Sequence, residues 1–137
     1  MTQRSRQRGQ DGFIREAIWI VVILTIIAVA ILDGMAIFSA YQSAGDSATN
    51  AAGAARTEYA QSVNVSAAKL AADAYLAKKG LEMVDFKASQ AADGNVLFTV
   101  TAKATADTYA FHLLGGIPQL KHWVERTTHP VRVGNAE

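Results

Sequence analysis

The sequence predicts an α+β protein in which one transmembrane helix continues into an alanine-rich helical stalk, followed by a second helix and a small antiparallel sheet. Three observations predict this order: an uncharged apolar run from Ala17 to Leu32, a helical period that continues to about Gln61, and a period of two after Leu81. The predicted domains are an arginine-rich cytoplasmic leader (1–16), a transmembrane helix (17–38), a helical stalk (39–65) and an extracytoplasmic α+β cap (66–137).

The apolar run is long enough to cross a bilayer. Residues 17–38 span about 33 Å as a helix at about 1.5 Å per residue, against a hydrocarbon core of about 30 Å. The arginines that precede the run are Arg4, Arg6, Arg8 and Arg15. Basic residues that flank a first membrane segment tend to stay cytoplasmic. We therefore expect a bitopic cell-membrane protein whose amino end is cytoplasmic and whose remainder lies outside.

A cleavable secretory signal is the main alternative for this end, because it also combines a basic stretch with an apolar run. The A-x-A triplet in range, Ala28 to Ala30, lies inside the apolar run. We favour a retained helix. A soluble exported domain, with its terminus near Ile31 or beyond, is the third interpretation.

Composition excludes several classes of function. Residues 39–137 carry nine basic and nine acidic side chains, so this neutral part does not favour nucleic-acid binding. Cysteine is absent, and the histidines, His112, His122 and His129, lack the spacing of a zinc site. No fingerprint of a nucleotide site or catalytic serine occurs. We expect no enzymatic activity, cofactor, metal or small-molecule substrate.

The stalk should end near Asn64, where β-branched residues alternate with capping types. Ser66 is the predicted N-cap of a second helix, about Ala67 to Lys79, and Gly80 suits its C′ position. Whether residue 64 marks a kink, a turn or no break stays open.

A β-hairpin with its loop near residues 90–95 follows, because apolar and polar residues alternate on either side of Asp93-Gly94. A short helix should begin around Pro118 and end near Arg126, and residues 128–133 could add an edge strand. The apolar residues of this region are Phe111, Leu113, Leu114, Ile117, Leu120, Trp123 and Val124. We expect them to cover the sheet as core rather than lie on the membrane surface with Trp123 among headgroups.

Two features of the first helix suggest contacts. Asp33 either pairs with a partner helix inside the bilayer or reaches the outer headgroups, and we favour the headgroups. The small residues beyond it are Ala36, Ala40, Ala44, Gly45, Ala48 and Ala52. Small side chains let helix backbones approach closely, so we predict helix-to-helix packing here. The alternative is a solvated rod rich in the best helix former.

The leader, the Gly-Phe-x-x-Glu step at residues 12–16, the apolar helix, the alanine-rich stalk, the shorter helix ending in glycine and the sheet form a recognisable series. This layout resembles the bacterial TadE-like minor pseudopilins of the tight-adherence (Flp) pilus and secretion machinery. The stretch FTVTAKATADTYAFHLLGG is also similar to the last strands of that family. The resemblance implies that a prepilin peptidase cuts after Gly12, that Phe13 becomes the new terminus, and that Glu16 compensates the terminal amine of a neighbouring subunit.

The expected function is that of a non-enzymatic, single-pass structural protein acting in pilus assembly or secretion. The expected partners are the lipid bilayer, other pilin-like or membrane-complex subunits and a prepilin peptidase. The alternative is an accessory or sensor subunit of a membrane complex, unprocessed at Gly12, with an outward partner-binding domain.

Overall fold

A single long helix organises the molecule. The computed structural model describes residues 7–137, with side chains from Gly12 onward, and its first helix, α1, covers Gln7–Ser62. Its 56 residues correspond to about 84 Å at about 1.5 Å per residue. The predicted continuity of the apolar helix with the stalk is confirmed. Arg4 and Arg6 of the predicted leader lie outside the described residues.

A sharp break separates α1 from α2 (Val65–Lys78). Val63 has a φ of 49°, and the Asn64 side chain accepts hydrogen bonds from the backbone N–H groups of Ser66 at 2.8 Å and Ala67 at 3.3 Å. The predicted break is therefore confirmed, but Ser66 as the N-cap is wrong, because its own N–H is one of the groups that need an acceptor. At the other end, Gly80 has a φ of 72°, as its predicted C′ position requires.

Three antiparallel strands form one sheet in the order β1-β2-β3: β1 (Glu82–Gln90), β2 (Val96–Lys103) and β3 (Val131–Ala136). The predicted hairpin is confirmed, and its loop turns at Gly94, whose φ is 90°. The predicted edge strand is also confirmed, since β3 pairs along β2 directly after Pro130. The described chain thus combines helices with a small antiparallel sheet, an α+β fold.

The sheet packs on the second half of α1. Phe98 and Val100 of β2 are completely buried, and the Phe98 ring lies 5.4 Å from the Tyr59 ring, centroid to centroid. The fully buried aliphatic residues around them come from α1, α2 and β2: Ala48, Ala51, Ala52, Ala55, Ala68, Ala72, Leu76 and Ala102. Alternate residues of β2 point into this core, as the period of two predicts. The predicted stalk therefore forms one layer of the predicted cap instead of a separate rod.

The chain after β2 runs back along α1 toward the apolar segment. Phe98 lies beside Tyr59, whereas Ala104 and Ala106 are buried with Ala40 and Ala44, so the contacts move steadily toward lower α1 numbers. Two short helices follow, α3 (Ala110–Leu114) and α4 (Lys121–Thr128).

This region departs from two predictions. Pro118 lies in the turn before α4 and not in its first helical turn, whereas α4 ends at Thr128, near the predicted Arg126. The stretch compared with the last strands of the pseudopilins ends its strand at Lys103, and its second part contains α3. Five residues are too few for a helical period to be recognised.

Candidate functional site

The apolar segment of α1, Ala17–Leu32, projects from the folded part of the molecule. Among the described residues it belongs to the one helix that is long and apolar enough to cross a membrane. Its large side chains are exposed, as those of a soluble protein's core helix would not be. Exposing so many apolar side chains to water is unfavourable by about 25 cal/mol per Å². The segment is a candidate membrane span, although its position near the amino terminus is shared by signal sequences.

Asp33 is the buried carboxylate at the end of this segment, with a relative exposure of 0%. Its Oδ1 accepts a hydrogen bond from the Tyr109 N–H at 2.7 Å, and its Oδ2 accepts from Ala110 at 2.8 Å and Phe111 at 3.1 Å. Those three amides form the start of α3, which has no side-chain N-cap of its own. A negative carboxylate satisfies the free N–H groups of a helix start and interacts favourably with its dipole.

The structure gives Asp33 an internal contact that neither of its two predicted roles includes. Three backbone amides of the same chain surround its carboxylate. Those amides lie 76 to 78 residues away in sequence. Only the return of the chain along α1 brings them to Asp33, which is why periodicity alone misses the contact.

The segment containing α3 and α4 is held at both ends and exposed between them. The Ala106 N–H donates to the Thr128 carbonyl at 2.8 Å. This hydrogen bond joins the two ends of the segment just before β3. Leu113 is 77% exposed and Trp123 is 53% exposed, although the Trp123 ring stacks on Phe111. Of the apolar set predicted to form core, only Val124 is buried. The core prediction is wrong for most of this set, because the sheet buries its inner face on α1 and α2 instead.

The small-residue stripe of α1 is covered by the protein's own chain. Ala44, Ala48 and Ala52 are fully buried, Ala40 is nearly so, and Gly45 and Ala36 are half-buried. Small side chains do permit the close approach that the sequence suggests. The elements that approach are the chain's own sheet and α2, so this stripe is not a free surface for a second copy.

The strand β3 lies directly against the backbone of α1 at Gly134, a position that no sequence pattern marks. A Cβ atom at this position would overlap the backbone of Ala48 and Thr49. Nearby, the Arg132 guanidinium lies 3.4 Å from the centre of the Tyr41 ring, a cation–π contact between β3 and α1. The edge strand β3 therefore contacts α1 in two ways. Gly134 allows the two backbones to lie close together, and Arg132 packs on the Tyr41 ring.

Gly12, Phe13 and Glu16 lie together near the start of the described part of α1, and all three are exposed. Glu16 follows Phe13 by three residues and Gly12 by four, so it lies about one helical turn beyond them on the same side of α1. Exposure makes this step accessible to another protein.

Searched over the described residues, the structure contains no group of three potential metal-ligating side chains. His129 contacts the Glu125 carbonyl oxygen at 3.1 Å and the Thr128 hydroxyl at 3.0 Å, which are neighbours in and beside α4. No protein-family model, curated protein or solved structure matches this chain.

Proposed function

We propose that the protein is a non-enzymatic, single-pass membrane protein of the TadE-like minor pseudopilin type, acting in pilus assembly or secretion. One observation carries the proposal: α1 is a single continuous helix whose first half is apolar and exposed and whose second half is built into the α+β fold. A lipid-embedded helix would thereby hold a folded unit at a fixed distance from the membrane.

The proposed topology places the amino end in the cytoplasm. The positive charge before the apolar segment supports this orientation, since four arginines precede it against two acidic residues, Asp11 and Glu16. The residues beyond Asp33 then lie outside the cytoplasm. Contacts with other subunits fall to the exposed surface of residues 13–32, because the alanines further along are already covered.

Processing at Gly12 is the step that most sharply tests the pseudopilin assignment. Intact-mass spectrometry of the protein purified from its own membranes should give a chain that begins at Phe13. Replacing Gly12 with leucine should leave residues 1–12 attached, because the family's peptidase cuts after a glycine. The matched control is Gly9→Leu, which changes a leader glycine away from the junction and should be processed normally.

The second candidate is an unprocessed accessory or sensor subunit of a membrane complex. The specific observation in its favour is that Glu16 is the fourth residue counted from Phe13, whereas pilins usually place this acidic residue fifth. An intact leader in the wild-type chain, with the protein still in the membrane, would contradict the pseudopilin proposal and favour this candidate. A terminus near Ile31 or beyond would contradict both and indicate a cleaved secretory signal.

A further inference from the structure

A patch of apolar side chains remains exposed on the segment that contains α3 and α4. Its members are Tyr109, Leu113, Ile117 and Trp123, with relative exposures of 70%, 77%, 42% and 53%. We call this set the proximal patch. None of these four side chains belongs to the core that β1, β2, α1 and α2 form, although the Trp123 ring packs on Phe111 within the same segment.

The position of the proximal patch along α1 is fixed by two contacts. Ala106 is buried with Ala40 and Ala44, and Tyr109 then donates its N–H to Asp33. From Ala40 to Asp33 the helix rises about 10 Å toward the apolar segment. The segment that carries the patch therefore contacts α1 at Asp33. This residue directly follows Leu32, the last residue of the exposed apolar run.

This placement makes the patch continuous with the candidate membrane span. If α1 crosses the bilayer, the outer boundary of the hydrocarbon falls near residues 33–38, at the level where α3 begins. Tryptophan and tyrosine are enriched at this boundary because their rings combine an apolar body with a polar group. The patch offers both residue types, together with two aliphatic side chains.

Charge around the patch does not oppose contact with a lipid surface. Asp107 and Glu125 balance Lys121 and Arg126, so the segment has no net charge from these groups. A neutral segment does not depend on anionic lipids and gains its affinity from apolar insertion. Apolar residues on a short helical segment beside a span are suited to the plane of the headgroups.

We propose that the proximal patch lies on the outer surface of the bilayer, with the Trp123 ring at headgroup depth and the Asp33 carboxylate holding α3 at that level. The inference rests on the proposed function, since it requires α1 to cross the membrane. The α+β unit then has two attachments to the bilayer, the helix and the patch, and its tilt relative to the membrane is restricted.

Tryptophan fluorescence in reconstituted vesicles tests this placement directly, because the chain contains only two tryptophans, Trp19 and Trp123. The full chain with Trp19→Phe is placed in phosphatidylcholine vesicles that carry bromine at a shallow or at a deep position of the acyl chain. Trp123 should be quenched more by the shallow bromine than by the deep one. Its quenching by aqueous acrylamide should be weaker than that of a fully hydrated tryptophan, because the apolar face of such a segment is buried among the headgroups.

Two control chains define the limits of the measurement. A chain with Trp123→Phe keeps Trp19, which lies inside the proposed span near its inner boundary and should therefore be quenched by lipid bromine. A chain with Leu70→Trp and both native tryptophans changed to phenylalanine reports on α2, where Leu70 is 69% exposed and distant from the span. This reporter should be quenched by acrylamide and by neither lipid. Leu113→Ser combined with Ile117→Ser should weaken the shallow quenching of Trp123, because these exposed residues do not support the core.

The outcomes separate the two proposals. Quenching of Trp19 by lipid bromine, with Trp123 as accessible to acrylamide as the Leu70→Trp reporter, would overturn the patch and leave the span intact. No lipid quenching of Trp19 would overturn the span, and the patch with it. If the protection of Trp123 from acrylamide disappears when the ratio of protein to lipid is lowered, the patch is covered by a second copy of the chain. This result would also overturn the lipid assignment.

Discussion

Asp33 links the apolar segment to the folded part of the molecule. An aspartate at the end of a membrane helix is expensive to bury unless its charge is satisfied. Here the backbone of α3 supplies three donors between 2.7 and 3.1 Å. Asp33 thus fixes the position of α3 along α1, and the position of α3 in turn fixes that of the exposed apolar side chains in its segment.

Replacing Asp33 should release α3 without unfolding the sheet. Asp33→Ala leaves three helix-start amides unpaired, which should favour local opening by about 2 kcal/mol. Asp33→Asn should cost a similar amount, because an amide group can place only one oxygen among three donors. Hydrogen exchange of the Tyr109 to Phe111 amides should accelerate about 30-fold, since about 1.4 kcal/mol corresponds to tenfold.

Asp46→Asn is the control for the Asp33 variants, because Asp46 is an exposed acidic residue of the same helix. It should leave exchange at Tyr109 to Phe111 unchanged. Unchanged exchange in Asp33→Ala as well would contradict the carboxylate contact.

Gly134→Ala tests the contact between β3 and α1. The added methyl group would collide with the backbone of Ala48 and Thr49, neither of which can move as a flexible side chain would. We expect the free energy of unfolding to fall by about 3 kcal/mol, measured by denaturant titration. Asn135→Ala, on an exposed neighbour, should change it by less than about 0.5 kcal/mol. Equal stabilities of the two variants would show that β3 does not approach α1 this closely.

The break between α1 and α2 is an element-scale feature in which sequence and structure assign different residues. The Asn64 side chain accepts from two amides of the first turn of α2. Asn64→Ala should therefore destabilise the protein by about 1 kcal/mol. Ser66→Ala, at the N-cap expected from the sequence, should have almost no effect, because the structure gives that hydroxyl no capping bond. Thermal denaturation of the two variants compares them, and a larger effect at Ser66 would contradict the observed helix start.

The elements that the sequence predicts well are those with a sustained period. The long stripe of α1, the alternation in β1 and β2, and Gly80 after α2 each report local backbone geometry. The helix α3 escapes prediction because it has five residues and its N-terminal amides are satisfied by Asp33, far away in sequence. Gly134 also escapes prediction, because this position requires glycine only when α1 packs against it.

The alanine stripe of α1 also shows what a sequence pattern leaves undetermined. Small residues at helical spacing indicate that something packs closely, but they do not identify what packs. Here the sheet and α2 cover Ala48 and Ala52, and the chain that follows β2 covers Ala44. A surface that the sequence suggests for assembly is thus part of the chain's own core.

At the scale of the whole molecule, the contact of α3 with Asp33 makes this residue the point where the apolar segment joins the folded unit. A fragment of residues 33–137 should be soluble and folded, since it keeps the carboxylate and the whole core. A fragment of residues 39–137 should fold its sheet yet lose the anchor of α3, and limited proteolysis should cut it within residues 107–127. Equal protease resistance of the two fragments would contradict this boundary.

Labelling of single cysteines in intact cells tests the central claim most directly, because the native chain has no cysteine that would interfere. Leu70→Cys reports on the folded unit, and Thr25→Cys reports on the middle of the apolar segment, where the side chain is exposed in the isolated molecule. A membrane-impermeant maleimide should label the first in intact cells. It should fail to label the second until detergent removes the lipid. Labelling of Thr25→Cys in intact cells, or none at Leu70→Cys, would contradict a lipid-embedded helix that displays its folded unit outside.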